Sequence, residues 1–146
     1  IIANEARGYE LWVYDLDGNL VRKIRKEYRP VRVTEDIKEA ILGSAYRQAG
    51  SSQSRYFPDP LPPLNQFFTD DEGRIFVMTY EPGANAGEFV YDIFNKDGAL
   101  VARVGLDALH LGNGQLLTRV RGDRLYAVQE RPSGFKQLTV YRMLWR

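Results

Sequence analysis

The feature that most restricts this chain is a stretch of four short β-type runs between Asn65 and Leu106. Asn65–Thr69, Arg74–Tyr80, Glu88–Phe94 and Ala99–Val104 are rich in aromatic and branched residues, which suit a pleated, half-buried surface. Between them lie Asp70-Asp71-Glu72-Gly73, a Pro/Gly-rich break from Glu81 to Gly87, and Asn95-Lys96-Asp97-Gly98. Each break holds a glycine free to take the positive φ that a tight reversal needs. Strands joined this closely pair with their neighbours, so 65–106 predicts a four-stranded antiparallel sheet.

Pieces of the same pattern recur on both sides. Trp12–Gly18 aligns with Asp92–Gly98 at a constant offset of 80, and Leu20-Val21 aligns with Leu100-Val101 at the same offset. Residues 1–28 therefore read as three strands of an earlier copy: Ile1–Ala6, Tyr9–Tyr14 and Leu20–Ile24. Arg74-Ile75-Phe76-Val77 corresponds to Arg124-Leu125-Tyr126-Ala127 at an offset of 50. Residues 107–146 then supply Gln115–Val120, Arg124–Gln129 and Lys136–Leu144, without a fourth strand. Residues 29–64 break the rhythm. Thr34 is placed to cap a helix carrying Ile37, Ala40, Ile41 and Ala45 on one stripe, with Gly50 as its stop and Gly43 weakening it. The segment from Arg55 to Pro63 has too many prolines for a central strand. Four antiparallel strands in about 40–45 residues match the size of one β-propeller blade. The predicted fold is thus all-β, about two and a half blades of four-stranded antiparallel sheets with one helical insertion.

Blades bury their faces against neighbouring blades. Open ends would expose flat apolar surface. The expected partners are therefore the remaining propeller blades, from the same parent chain or another. The chain opens inside a strand without an initiator Met, which predicts a piece of something longer. Lys+Arg of 20 against Asp+Glu of 19 leaves a net charge of +1, which offers nothing for nucleic acid. The local run Arg22, Lys23, Arg25, Lys26 reads as a solvated strand face. No run approaches a membrane span, and the absence of cysteine removes disulfides and thiolate chemistry.

Three segments carry a resemblance: Asp92-Ile93-Phe94-Asn95-Lys96-Asp97-Gly98, Asp71-Glu72-Gly73-Arg74-Ile75-Phe76-Val77, and Pro30-Val31-Arg32-Val33-Thr34-Glu35-Asp36. Together they resemble the C-terminal portion of bacterial six-bladed β-propeller proteins related to the NHL-repeat group. The likeness covers nearly the whole chain, but its motifs build turns and carry no chemistry. It implies a periplasmic, cell-surface or secreted protein. The chain departs from that pattern in lacking roughly half a propeller and any export signal.

No catalytic constellation is legible. His110 is the only histidine and has no second imidazole or thiolate to share a metal with. Asp15/Asp17, Glu35/Asp36 and Asp70/Asp71/Glu72 sit at turns or a helix start, where carboxylates serve the backbone. The last group lacks the spaced ligand set of a calcium loop. Trp12, Tyr14, Tyr91, Tyr126 and Tyr141 fall inside strands and are expected to pack between sheets. Arg55, Tyr56, Asn65, His110 and Asn113 lie in connections leading into innermost strands. In a repeat scaffold sites gather on such a loop face, so these five are the candidate ligand-facing residues. The expectation is a non-enzymatic module binding a small molecule, a glycan or a protein, with no cofactor or metal. The alternative is a propeller-type hydrolase or lyase whose metal site is completed by other blades.

Overall fold

The computed structural model describes residues 2–3, 8–42, 58–85, 87–107, 118–131 and 133–145. In chain order the elements are β1 (Ile2–Ala3), β2 (Glu10–Tyr14), β3 (Leu20–Arg25), α1 (Glu35–Leu42), β4 (Gln66–Thr69), β5 (Ile75–Pro82), β6 (Glu88–Phe94), β7 (Leu100–Asp107), β8 (Thr118–Arg121), β9 (Arg124–Glu130) and β10 (Lys136–Arg142). They form three antiparallel sheets, β1-β2-β3, β4-β5-β6-β7 and β10-β9-β8, none closed on itself.

The sheets pack face to face with the four-stranded one in the middle. Alternation along β5 decides this. Ile75 and Val77 join Tyr9, Leu11, Ile24, Leu64 and Phe94 in one apolar cluster. Phe76 and Met78 join Phe89, Tyr91, Ile93, Val120, Leu125 and Ala127 in the other. A strand covered on both faces reads as a continuous apolar run rather than an alternating one. Ile75-Phe76-Val77-Met78 is that run, and all four residues are buried.

One hairpin design recurs. At Asp15, Asp70, Asn95 and Arg131 the first residue's carbonyl accepts the N–H of the glycine three positions on. The same residue's N–H donates to the carbonyl four positions on. Gly18, Gly73, Gly98 and Gly134 hold φ of +78° to +86° there, the left-handed residue of a three-residue hairpin loop. In the first three turns the Asp or Asn side-chain oxygen also accepts the N–H groups two and four residues ahead. Asp15 and Asp70 thus serve the backbone of their own turns, whereas Glu72 pairs with Arg74 and Asp71 accepts the Gly122 N–H of another turn. The likeness at an offset of 80 extends to irregularities. The β2–β3 ladder shifts register between Val13 and Tyr14, and the β6–β7 ladder shifts between Ile93 and Phe94.

Several expectations need correction. β5 continues through Glu81-Pro82 into the expected break, because its ladder with β6 shifts between Met78 and Pro82. The Thr79 hydroxyl bonds the Val90 carbonyl there and accepts the Glu81 N–H, so the proline falls beyond the regular ladder. Of the five strand aromatics, only Tyr91 is fully buried. Trp12, Tyr14 and Tyr126 are half-buried, and Tyr141 is exposed. The register places Trp12 and Tyr14 opposite Lys23 and Leu20, on the face of the first sheet turned away from the middle one. The Lys23 ammonium stands 3.8 Å from the Trp12 ring centroid. The helix begins as read, with the Thr34 hydroxyl accepting the Ile37 N–H at 3.3 Å and Ile37 buried. Gly43, Ala45 and Gly50 lie outside the described residues.

Candidate functional site

A buried polar assembly occupies the seam between the first and middle sheets. Asp92 alternates with Tyr91 and Ile93 on β6 and so faces the first sheet, where it is 0% exposed. Its Oδ2 accepts the Tyr9 hydroxyl at 2.7 Å and the Lys26 ammonium at 2.6 Å, and its Oδ1 accepts Arg103 Nε at 2.8 Å. Arg103 reaches on to Glu81 at 2.7 Å. All five residues are fixed by backbone pairing, with Glu81, Asp92 and Arg103 on β5, β6 and β7. Tyr9 and Lys26 flank the β2–β3 ladder, where the Lys26 N–H bonds the Tyr9 carbonyl at 3.1 Å, and Arg103 stands directly across from Asp92 on β7.

Electrostatics fix what this cluster can do. Burial would raise the Asp92 pKa, but the hydrogen bonds from Lys26, Tyr9 and Arg103 together outweigh it and hold the carboxyl below its usual range. Burial, joined by the bond to Asp92, pushes the Tyr9 hydroxyl far up. Asp92 is therefore a saturated carboxylate and Tyr9 a protonated donor at neutral pH. Neither group is poised to move a proton, so the cluster acts as a clamp between sheets. Lys26 belongs to it rather than to a solvated strand face, a correction to the reading of the basic run. Sequence reasoning missed the cluster, although one signal was present. Asp92 sits in the middle of a strand, between apolar neighbours, where no turn explains a carboxylate.

The second seam has its own clamp at the opposite turns. Arg74 bonds Asp70 at 2.5 Å, pairs with Glu72 at 3.0 Å and donates to the Gly122 carbonyl at 2.8 Å. The Gly122 N–H returns to Asp71 at 3.1 Å, and the Arg74 guanidinium lies 4.1 Å from the Trp145 ring centroid. This ties the β4–β5 turn to the β8–β9 turn.

Among the sequence-predicted ligand-facing residues, Arg55, Tyr56, His110 and Asn113 lie outside the described residues. Asn65 stands at the head of β4. Its N–H donates to the Met78 carbonyl at 2.8 Å, while its side-chain Nδ2 is buried without a hydrogen-bond partner. Gln66, next along, points to the opposite face with its amide 3.5 Å from Met78 Sδ. Tyr91 shares that face, its hydroxyl buried without a hydrogen bond of good geometry. Burial pushes its pKa up to about 12, the nearby Gln66 amide working against it. Leaving such groups unpaired costs about 1–3 kcal/mol each, so the head of β4 is where polar capacity is unspent.

Two open grooves lie among the described residues. One, about 390 Å³, is floored by Ile2, Val13, Phe67 and Ile75 with Arg22 and Lys96 at its rim. The other, about 740 Å³, runs from Arg74 and Lys96 past Val101 to Leu144 and Trp145. Among the described residues no group of three or more His, Asp or Glu side chains is placed to hold a metal ion. No helix among them is long and apolar enough to cross a membrane. Comparison with known proteins finds no matching family model, no similar curated protein and no similar solved structure.

Proposed function

We propose that this chain is a sector of a β-propeller and works as a non-enzymatic binding module, its ligand taken near the heads of the innermost strands. The observation that carries the reading is the repeated unit. β2–β3 and β6–β7 share one hairpin turn and one register shift at the same spacing, in sheets stacked face to face. On the repeat alignment β1-β2-β3 correspond to β5-β6-β7, and β8-β9-β10 to β4-β5-β6. β4 and β8 are then the first strands of their blades, with Asn65 heading β4 and its own side-chain amide unspent. Neutral, hydrogen-bonding ligands such as oligosaccharides fit that chemistry.

The test is a thermal-shift screen of the polypeptide against neutral oligosaccharides, repeated with Asn65→Ala. The reading expects a saturable rise in melting temperature for at least one sugar, reduced in the variant. No shift with any sugar, or a shift indifferent to Asn65, would count against it.

A further inference from the structure

Among the described residues, the smaller groove opens at one end of the seam between the first and middle sheets. Val13 and Arg22 stand across from each other there, and Thr69 closes β4. Asn65 heads the same strand at its other end, so the groove is a separate place from the ligand site argued above. The chain passes between β2 and β3, β4 and β5, and β6 and β7 at the groove end, through turns whose residues are all described. β1 and β2, β5 and β6, and β7 and β8 are connected at the far end.

The floor is apolar, with Ile2 and Val13 from the first sheet and Phe67 and Ile75 from the middle one. Its charged lining residues are Arg22 and Lys96, and no carboxylate lines it. The larger groove differs, because Glu72 lines it beside Arg74 and the two pair at 3.0 Å. Arg25, Arg74 and Arg103 each bond a carboxylate, at 2.5, 2.5 and 2.8 Å. Arg22 instead bonds the Lys96 carbonyl across the seam, and among the described residues neither it nor Lys96 has a carboxylate partner. Most of the N–H donors on the two cations are therefore uncommitted. The Arg22 stem is also held in place. It lies against the β6–β7 turn, where a Cβ built on Gly98 would stand 3.0 Å from Arg22 Cδ. A cation fixed before its ligand arrives lowers the ordering cost of binding.

We propose that this groove binds a small amphiphilic anion, a carboxylate carried on an aromatic or aliphatic body. The carboxylate accepts the free donors of Arg22 and Lys96, a guanidinium being matched in shape to a carboxylate. The body covers Ile2, Val13, Phe67 and Ile75. The groove's volume of about 390 Å³ lies within the range of small-molecule sites. Neither a ring of blades nor the site at Asn65 is required, so the proposal stands or falls separately from both.

The probe is phenylbutyrate, titrated into the full chain by isothermal calorimetry, with phenylbutylamine and acetate as comparisons. Saturable binding of phenylbutyrate is expected, with the amine and acetate each weaker by about tenfold or more. Arg22→Gln and Lys96→Gln should each weaken phenylbutyrate by about tenfold or more. Lys96 is exposed on a turn, so its variant keeps the fold and decides the matter even where the Arg22 variant does not. Arg22→Glu combined with Lys96→Glu should reverse the preference toward the amine. Lys23→Gln, on the opposite face of β3 against Trp12, and Asn65→Ala should both leave binding unchanged. Absence of saturation, equal binding of acid and amine, or a loss with Lys23→Gln as large as with Lys96→Gln would overturn the proposal.

Discussion

At the scale of single residues, Asp92 is the position on which the first seam turns. A buried carboxylate is costly unless its partners are all in place, and removing one side of such a pair costs about 3–5 kcal/mol. Asp92→Asn keeps the shape but strands Lys26 and Arg103 beside a neutral amide. We expect urea denaturation to show a loss in that range, and a loss under about 1 kcal/mol would deny the clamp its role. The pH dependence carries the same signature. The folded pKa of Asp92 lies below the unfolded value of about 3.9. Its contribution is complete above that value and is lost as pH falls through the lower folded one. The Asn variant should therefore show a flatter acid limb. Tyr91 behaves in the opposite sense. Its pKa is raised to about 12, so its contribution is present below the unfolded value of about 10 and is lost as pH rises through the folded one. Phenolate absorbance should reveal tyrosines that ionise only as the chain unfolds at high pH. Complete ionisation near pH 10 in the folded chain would contradict this burial.

At the scale of elements, the repeated turn offers a controlled comparison. Gly18 and Gly98 occupy equivalent places with φ of +86° and +83°. A Cβ at Gly18 meets nothing within 4 Å, whereas one at Gly98 meets Arg22 Cδ and Ile24 Cγ1 at 3.0 Å. Gly18→Ala should cost only the left-handed strain of about 1–2 kcal/mol. Gly98→Ala should cost measurably more, because it also pushes the first sheet from the middle one. Equal costs in thermal unfolding would mean that the sheets do not meet there. These turns were legible in the sequence because Asx and glycine impose their geometry locally, and the strands followed from aromatic and branched runs between them. What local chemistry does not encode stayed hidden. The fate of Lys26 depends on a carboxylate 66 positions away, and the exposure of Trp12 and Tyr14 depends on which face a neighbouring sheet covers. Pro82 was misplaced for the same reason, since a side-chain bond from Thr79 creates the irregularity that admits it.

At the scale of the whole molecule, the account rests on a middle sheet covered on both faces by two others that do not share strands. The clamps at Asp92 and Arg74 and the two apolar clusters each join the middle sheet to a neighbouring one. That stacking sets three open antiparallel sheets in layers, none closed on itself among the described residues. The most direct test is the pattern of nuclear Overhauser contacts in solution. The stack predicts side-chain contacts from Leu11 and Ile24 to Val77 and Phe94, and from Val120 and Leu125 to Phe76 and Tyr91. It predicts no backbone contacts joining β1 or β3 to β8 or β10. Backbone contacts pairing those early and late strands in one sheet would contradict it.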